Sequence, residues 1–175
     1  RGPQAGVALR EGAILMMGVN HPELIEEDLA AFTDMELPNE ALQGLHRAML
    51  TVLTVAEKGA DGGLGKMLAT SGQAAILEQI TLLVARSKLW VAMPDAAIED
   101  VREAWRQALH LHHKVRTLRS ELKMAENLLA EADDDNVMHL IQQMGDIKNQ
   151  IDNLQATEAL LDGFGVMSGR ATAKS

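Results

Sequence analysis

Residues 101–161 read VREAWRQALHLHHKVRTLRSELKMAENLLAEADDDNVMHLIQQMGDIKNQIDNLQATEALL, and this stretch decides the architecture. Apolar residues fall at Val101, Ala104, Ala108, Leu111, Val115, Leu118, Leu122, Ala125 and Leu129, in alternating steps of three and four. A second series, Val137, Leu140, Met144, Ile147, Ile151, Leu154 and Leu161, keeps that step with Glu158 as its one polar member. Such steps hold side chains on one stripe of a helix, and two stripes in succession pack face to face as an antiparallel hairpin. Between them lies Ala132-Asp-Asp-Asp-Asn136, where Asp and Asn leave a helix readily and cap the next one. The spacing predicts a helix from 96 to about 130, capped by Asp95 and roughly 50 Å long, followed by a second helix running back along it.

Upstream the character changes. All four prolines (3, 22, 38 and 94) and ten of the fourteen glycines lie before residue 95. Short helices with frequent turns are expected. One spans 8–19, with Ala13, Ile14, Met16 and Met17 turned inward. Asn20-His21-Pro22 breaks and restarts the chain, with Pro22 in a first helical turn and Glu23, Glu26, Glu27 and Asp28 near its positive end. Pro38-Asn39-Glu40 starts a third helix with the stripe Leu42, Leu45, Met49, Leu50 and Leu53. Residues 59–65 read as a loop and 64–69 as a short helix ending near Ser71-Gly72. Residues 74–91 then form an apolar helix carrying Ile76, Leu77, Ile80, Leu83 and Val84. No stretch alternates with period two. The expected fold is all-α: a compact helical bundle over 8–93, then a long helix and a C-terminal antiparallel hairpin over 95–163. Flexible ends are expected at 1–7 and 165–175.

Composition excludes several classes of activity. The 175 residues include no cysteine, so disulfides, thiolate metal sites and a Cys nucleophile are impossible. A formal net charge of −9 argues against non-specific wrapping of nucleic acid, which needs clustered Lys and Arg. No uncharged run reaches the roughly 18 residues of a membrane span, and the N-terminus has no apolar signal core, which points to a cytoplasmic setting. The chain does not open with Met, as expected of a piece of a longer protein. Charge is nonetheless uneven: residues 102–123 carry Arg102, Arg106, Lys114, Arg116, Arg119 and Lys123 against Glu103 and Glu121.

Catalytic patterns fail one by one. Gly59-Ala-Asp-Gly-Gly-Leu-Gly65-Lys66-Met67 has the wrong spacing for a phosphate loop, and Met67 stands where Ser or Thr should ligate magnesium. His110, His112 and His113 have no carboxylate at ligand spacing, and they read as surface histidines. Asp133 and Asp135 make an Asp-x-Asp pair, but in a turn without a supporting sheet. No nucleophile, base and oxyanion site assembles. Neither a cofactor nor a metal is expected, and no catalytic residue.

Three segments resemble one family. Arg10-Glu11-Gly-Ala-Ile-Leu-Met-Met-Gly-Val-Asn20-His21-Pro22-Glu23-Leu24 is similar to the start of the C-terminal region of bacterial DNA primases. Val101-Arg-Glu-Ala-Trp105-Arg-Gln-Ala-Leu109 and Glu158-Ala-Leu-Leu-Asp-Gly-Phe164-Gly165 resemble the same family, so the likeness spans residues 10–165. It implies a helicase-binding domain that recruits primase to the replicative helicase and couples priming to unwinding. The implied partner is the N-terminal domain of the hexameric replicative helicase. The parent protein would be a primase (a DNA-directed RNA polymerase), while this chain, lacking cysteines and a catalytic sheet, would synthesise no primer and would be monomeric alone. A free-standing helical adaptor unrelated to replication is the alternative.

Two candidate surfaces follow. Leu160 lies off the seam of the second helix, and Phe164 follows Gly163, which can end that helix and turn the ring outward. With Leu161, Ala156 and Asn153 they make the expected helicase contact; the other reading of Phe164 is a ring folded back onto the bundle. His112, Arg116, Arg119 and Lys123 follow four-three-four spacing on one helix face. They are either an ordinary solvated face or a seat for an acidic partner, for which the family resemblance suggests the acidic tail of single-stranded-DNA-binding protein.

Overall fold

The computed structural model describes residues 6–55 and 63–160, the last four of these as backbone alone. Every regular element among them is helical, and there is no strand. In chain order these are α1 (Leu9–Asn20), α2 (Pro22–Glu27), α3 (Leu29–Thr33), α4 (Glu40–Val55), α5 (Gly63–Leu68), α6 (Ala74–Arg86), α7 (Ile98–Glu131) and α8 (Asp134–Leu160). They form two compact units, one through Leu109 and one from His110 onward.

The first unit is built around α1, whose residues Glu11 to Val19 are all buried. Burial on every side, rather than on one stripe, marks a central helix. It lies against α2, α4, α5 and α6. Close approach is possible because Gly18 carries no side chain: a Cβ there would lie 3.0 Å from Ile25 Cδ1 and 3.1 Å from Met49 Cε. The stripes expected for α4 and α6 point inward, with Leu42, Leu45, Met49, Ile76, Ile80 and Val84 buried in one core. Asn39 caps α4, its Oδ1 accepting from the Leu42 amide at 3.0 Å. Gly63–Arg86 is the one helical run among the described residues long and apolar enough to cross a membrane by composition. It is not one straight helix. Gly72, at φ +86°, breaks it between α5 and α6, and Leu64, Leu68, Ile76, Ile80 and Val84 turn into the core.

Four boundaries differ from the sequence expectation. Asp28 (φ −122°, ψ 38°) splits the second helix into α2 and α3, so the helix opening after Pro38 is the fourth. The apolar helix α6 stops at Arg86, not 91, because Lys88 adopts a left-handed φ of 56°. Leu89 N–H then bonds the Val84 carbonyl and Lys88 N–H that of Ala85, the paired bonds of a Schellman cap. That cap normally announces itself by glycine; here lysine occupies the position, at a conformational cost of roughly 1 kcal/mol. The long helix begins at Ile98 rather than 96. Asp95 sits in a turn closed by Ala96 N–H to Met93 O at 3.2 Å and does not cap it.

The fourth difference concerns where the compact units meet. Pro94-Asp95 ends the run of short helices, yet the division falls inside α7, between Leu109 and His110. The first apolar series is continuous but serves two cores. Val101, Ala104, Trp105, Ala108 and Leu109 complete the bundle. Leu118 and Leu122 instead pack with Ile147, Ile151 and Leu154 of α8 as the hairpin seam. Leu118 lies thirteen residues before the end of α7 and Ile147 thirteen after the start of α8, the register of an antiparallel pair. The turn needs only Ala132 and Asp133, whose Oδ1 accepts from the Asn136 amide at 3.1 Å and from Asn136 Nδ2 at 2.7 Å.

Candidate protein-binding site

Within the first unit, the start of α7 is anchored by polar groups that helical periodicity does not reveal. Trp105 is fully buried and its indole N–H donates to Asp28 Oδ2 at 3.0 Å. One turn earlier Arg102 donates from Nε and Nη2 to the two oxygens of Glu27, both at 2.9 Å. This bidentate bond, with Coulomb attraction from Arg102 and Arg106, holds the Glu27 carboxyl below the usual carboxylate range, and the same bond with the charges of Glu27, Glu99 and Glu23 raises the Arg102 guanidinium. The pair is partly open to solvent, so it orients more than it stabilises. Phe32 stacks on Trp105 (centroids 5.7 Å apart) and meets His46 at a tilt of 60° (4.7 Å). His46 Nε2–H donates to the Phe32 carbonyl at 2.7 Å. Burial pushes the His46 imidazole below its ordinary pKa despite that bond, with nearby Arg47 adding to the effect. Asn20 Nδ2 donates to Ala92 O at 2.8 Å, tying the end of α1 to the turn Trp90–Ala92. The Trp105–Asp28, His46–Phe32 and Asn20–Ala92 bonds are buried or part-buried and structural, while the Arg102–Glu27 pair lies at the surface of the unit.

The candidate helicase contact is described in part. Asn153 and Ala156 are exposed on α8. Leu160 ends that helix, with its side chain outside the described set, and Leu161 and Phe164 lie outside the described residues altogether.

The candidate acidic-tail stripe needs correction. His112 is 1 % exposed, Arg116 is half-buried, and only Arg119 and Lys123 stand in solvent. His112, Arg116, Arg119 and Lys123 therefore do not form one open face. Their spacing places the four side chains on a common side of α7, but the His112 end is covered. The histidines were also expected at the surface; His110 is exposed, His113 half-buried and His112 buried, its ring edge-on to His113 with centroids 6.1 Å apart. Among the described residues no group of three or more His, Asp or Glu side chains could hold a metal ion. Asp133 of the Asp-x-Asp pair is engaged as the cap of α8.

Sequence reasoning missed a further surface. In the hairpin unit Met124, Leu128, Met138 and Ile141 are exposed, Met138 by 72 %. The signal was present: all four are large apolar residues off the heptad seam, and only seam positions can be covered by the other helix of the pair.

No family model matches the chain, and comparison with curated proteins and with solved structures finds no match either.

Proposed function

We propose that this chain is a helicase-interaction domain of a bacterial replicative DNA primase, which recruits primase to the replicative helicase and couples priming to unwinding. The observation that carries the reading is the order of parts. A bundle of short helices gives way, through one unbroken 34-residue helix, to a two-helix hairpin, which is the layout implied by the resemblance of residues 10–24, 101–109 and 158–165 to that family. Two features of the sites agree with a binding role. The buried and part-buried bonds Trp105–Asp28, His46–Phe32 and Asn20–Ala92 anchor the bundle's own elements. The hairpin unit leaves large apolar side chains in solvent, the usual mark of a surface that meets another macromolecule. In this reading the chain contributes contact and orientation and performs no chemistry itself.

Titration of the chain against the isolated N-terminal domain of a bacterial replicative helicase, followed by calorimetry, tests the proposal. A saturable complex with micromolar or tighter affinity is expected, together with co-elution of the chain with the helicase hexamer. Absence of binding at roughly 100 µM, where a 1 µM site would be about 99 % filled, overturns the reading in favour of a helical adaptor outside replication.

A further inference from the structure

The exposed residues of α8 have an order of their own. Asp134, Met138, Ile141, Gly145 and Lys148 follow four-three-four-three spacing, and all five are exposed. From Met138 on, this is the seam pattern shifted by one residue, so it forms a second stripe about 100° round the helix. The hairpin partner α7 covers the first stripe, through Leu140, Ile147 and Ile151, and leaves this one open. Met138 is 72 % and Ile141 49 % exposed, and a Cβ at Gly145 would meet nothing within 4 Å. Gly145 thus costs the helix stability without relieving any internal crowding.

The stripe is complementary to itself. Two copies of α8 can be laid antiparallel with a two-fold axis between Met138 and Ile141. Met138 of each copy then packs on Ile141 of the other, giving a four-residue apolar centre. Gly145 falls opposite Asp134 of the second copy and leaves room for the backbones to approach. Lys148 at each end lies three residues, about 4.5 Å along the axis, from the second copy's Asp134, well within the reach of a lysine side chain. Like faces that meet through apolar centres and opposite charges at both ends satisfy the requirement of an isologous two-fold interface. A parallel pairing would set Asp134 against Asp134 and Lys148 against Lys148.

We infer that the outer face of α8, centred on Met138 and Ile141, is a self-association surface that pairs two copies of this chain antiparallel. This departs from the monomer expected of the sequence and does not depend on the helicase reading. The contact is small, so a weak dimer follows, forming at tens to hundreds of micromolar rather than at nanomolar concentration.

Sedimentation velocity on the whole chain, over concentrations from roughly 1 µM to 1 mM, tests it. The weight-average sedimentation coefficient should rise with concentration toward the dimer value. Ile141→Lys should hold the chain monomeric throughout. Lys148→Asp should weaken the dimer by roughly tenfold, because attraction becomes repulsion at both symmetric ends. The double variant Asp134→Lys, Lys148→Asp should restore association, since it exchanges the two charges and leaves the Asp133 cap in place. That rescue distinguishes a specific contact from damage to the helix. A monomer at every concentration, an unaffected dimer in Ile141→Lys, or failure of the charge exchange to rescue would each overturn the inference.

Discussion

Trp105 and Asp28, seventy-seven positions apart in sequence, meet through a 3.0 Å hydrogen bond from the indole N–H to the carboxylate. The contact ties the first turns of α7 to the break between α2 and α3, both within the first unit. Asp28 takes a non-helical conformation and its carboxylate is turned to the indole. Trp105→Phe keeps an aromatic ring in the stack with Phe32 and removes the donor. It should cost about 1.5–3 kcal/mol, the range for a bond to a charged acceptor, whereas Trp105→Ala, opening a cavity, should cost about 3–5 kcal/mol. Urea unfolding followed by tryptophan-independent far-UV circular dichroism would measure both. Equal losses for the two variants would show that the hydrogen bond contributes nothing separable.

His46 should make stability depend on pH. Its imidazole is depressed in the fold by burial and is close to its ordinary value of 6.5 when unfolded. Between those two values the unfolded chain binds more protons than the native one, so stability rises with pH. The contribution is complete above about pH 6.5 and is lost as pH falls through the unfolded value toward the folded one. His46→Gln, which does not titrate, should flatten this dependence between pH 7.5 and 5. Parallel urea midpoints for wild type and variant across that range would count against a role for His46.

Two helical glycines should respond to alanine in opposite senses. At Gly18 the new methyl would press on Ile25 and Met49 at 3.0–3.2 Å, and overpacking of this kind costs about 1–3 kcal/mol. At Gly145 it would enter open space on an exposed helix face, where the gain in helix propensity is about 0.5–1 kcal/mol. Thermal melts of the two variants should move to lower and higher temperature respectively. A destabilised Gly145→Ala protein would contradict the open placement of that position.

If the proposed helicase contact includes the end of α8, replacing Leu160 and Phe164 together by alanine should weaken helicase binding tenfold or more. One buried apolar anchor contributes roughly 2 kcal/mol. Helix content and melting should stay near those of the parent chain. Loss of folding along with binding would mean that Phe164 caps the bundle, and undiminished binding by a folded double variant would remove both residues from the contact.

Much of the hairpin is legible in the heptad spacing alone. Val137, Leu140, Met144, Ile147, Ile151 and Leu154 are the buried or half-buried positions of α8, and the remaining described side chains beyond Asn136 are exposed. Spacing suffices to name them because a helix facing one neighbour buries one stripe. The inward stripes of α4 and α6, the helix start after Pro38, the break at Pro22 and the turn at Gly72 are legible for similar local reasons.

What required the tertiary structure is of another kind. Sequence spacing states which residues share a side of a helix, but not how many sides are covered. Val101 to Leu109 and the later pair Leu118 and Leu122 belong to one unbroken helix, yet they serve different cores. His112 shares a side with Arg119 and is nonetheless buried. The Lys88 cap carries no glycine to announce it, and the bond from Trp105 to Asp28 joins residues too distant for any local rule. By itself the sequence determined the all-α class, the inward stripes of most helices and the seam of the hairpin, since these depend on period and local backbone preference. Only the tertiary structure decided where one core ends and the next begins, and which of the three clustered histidines of α7 is buried. Each of those depends on elements far apart in the chain arriving at the same place.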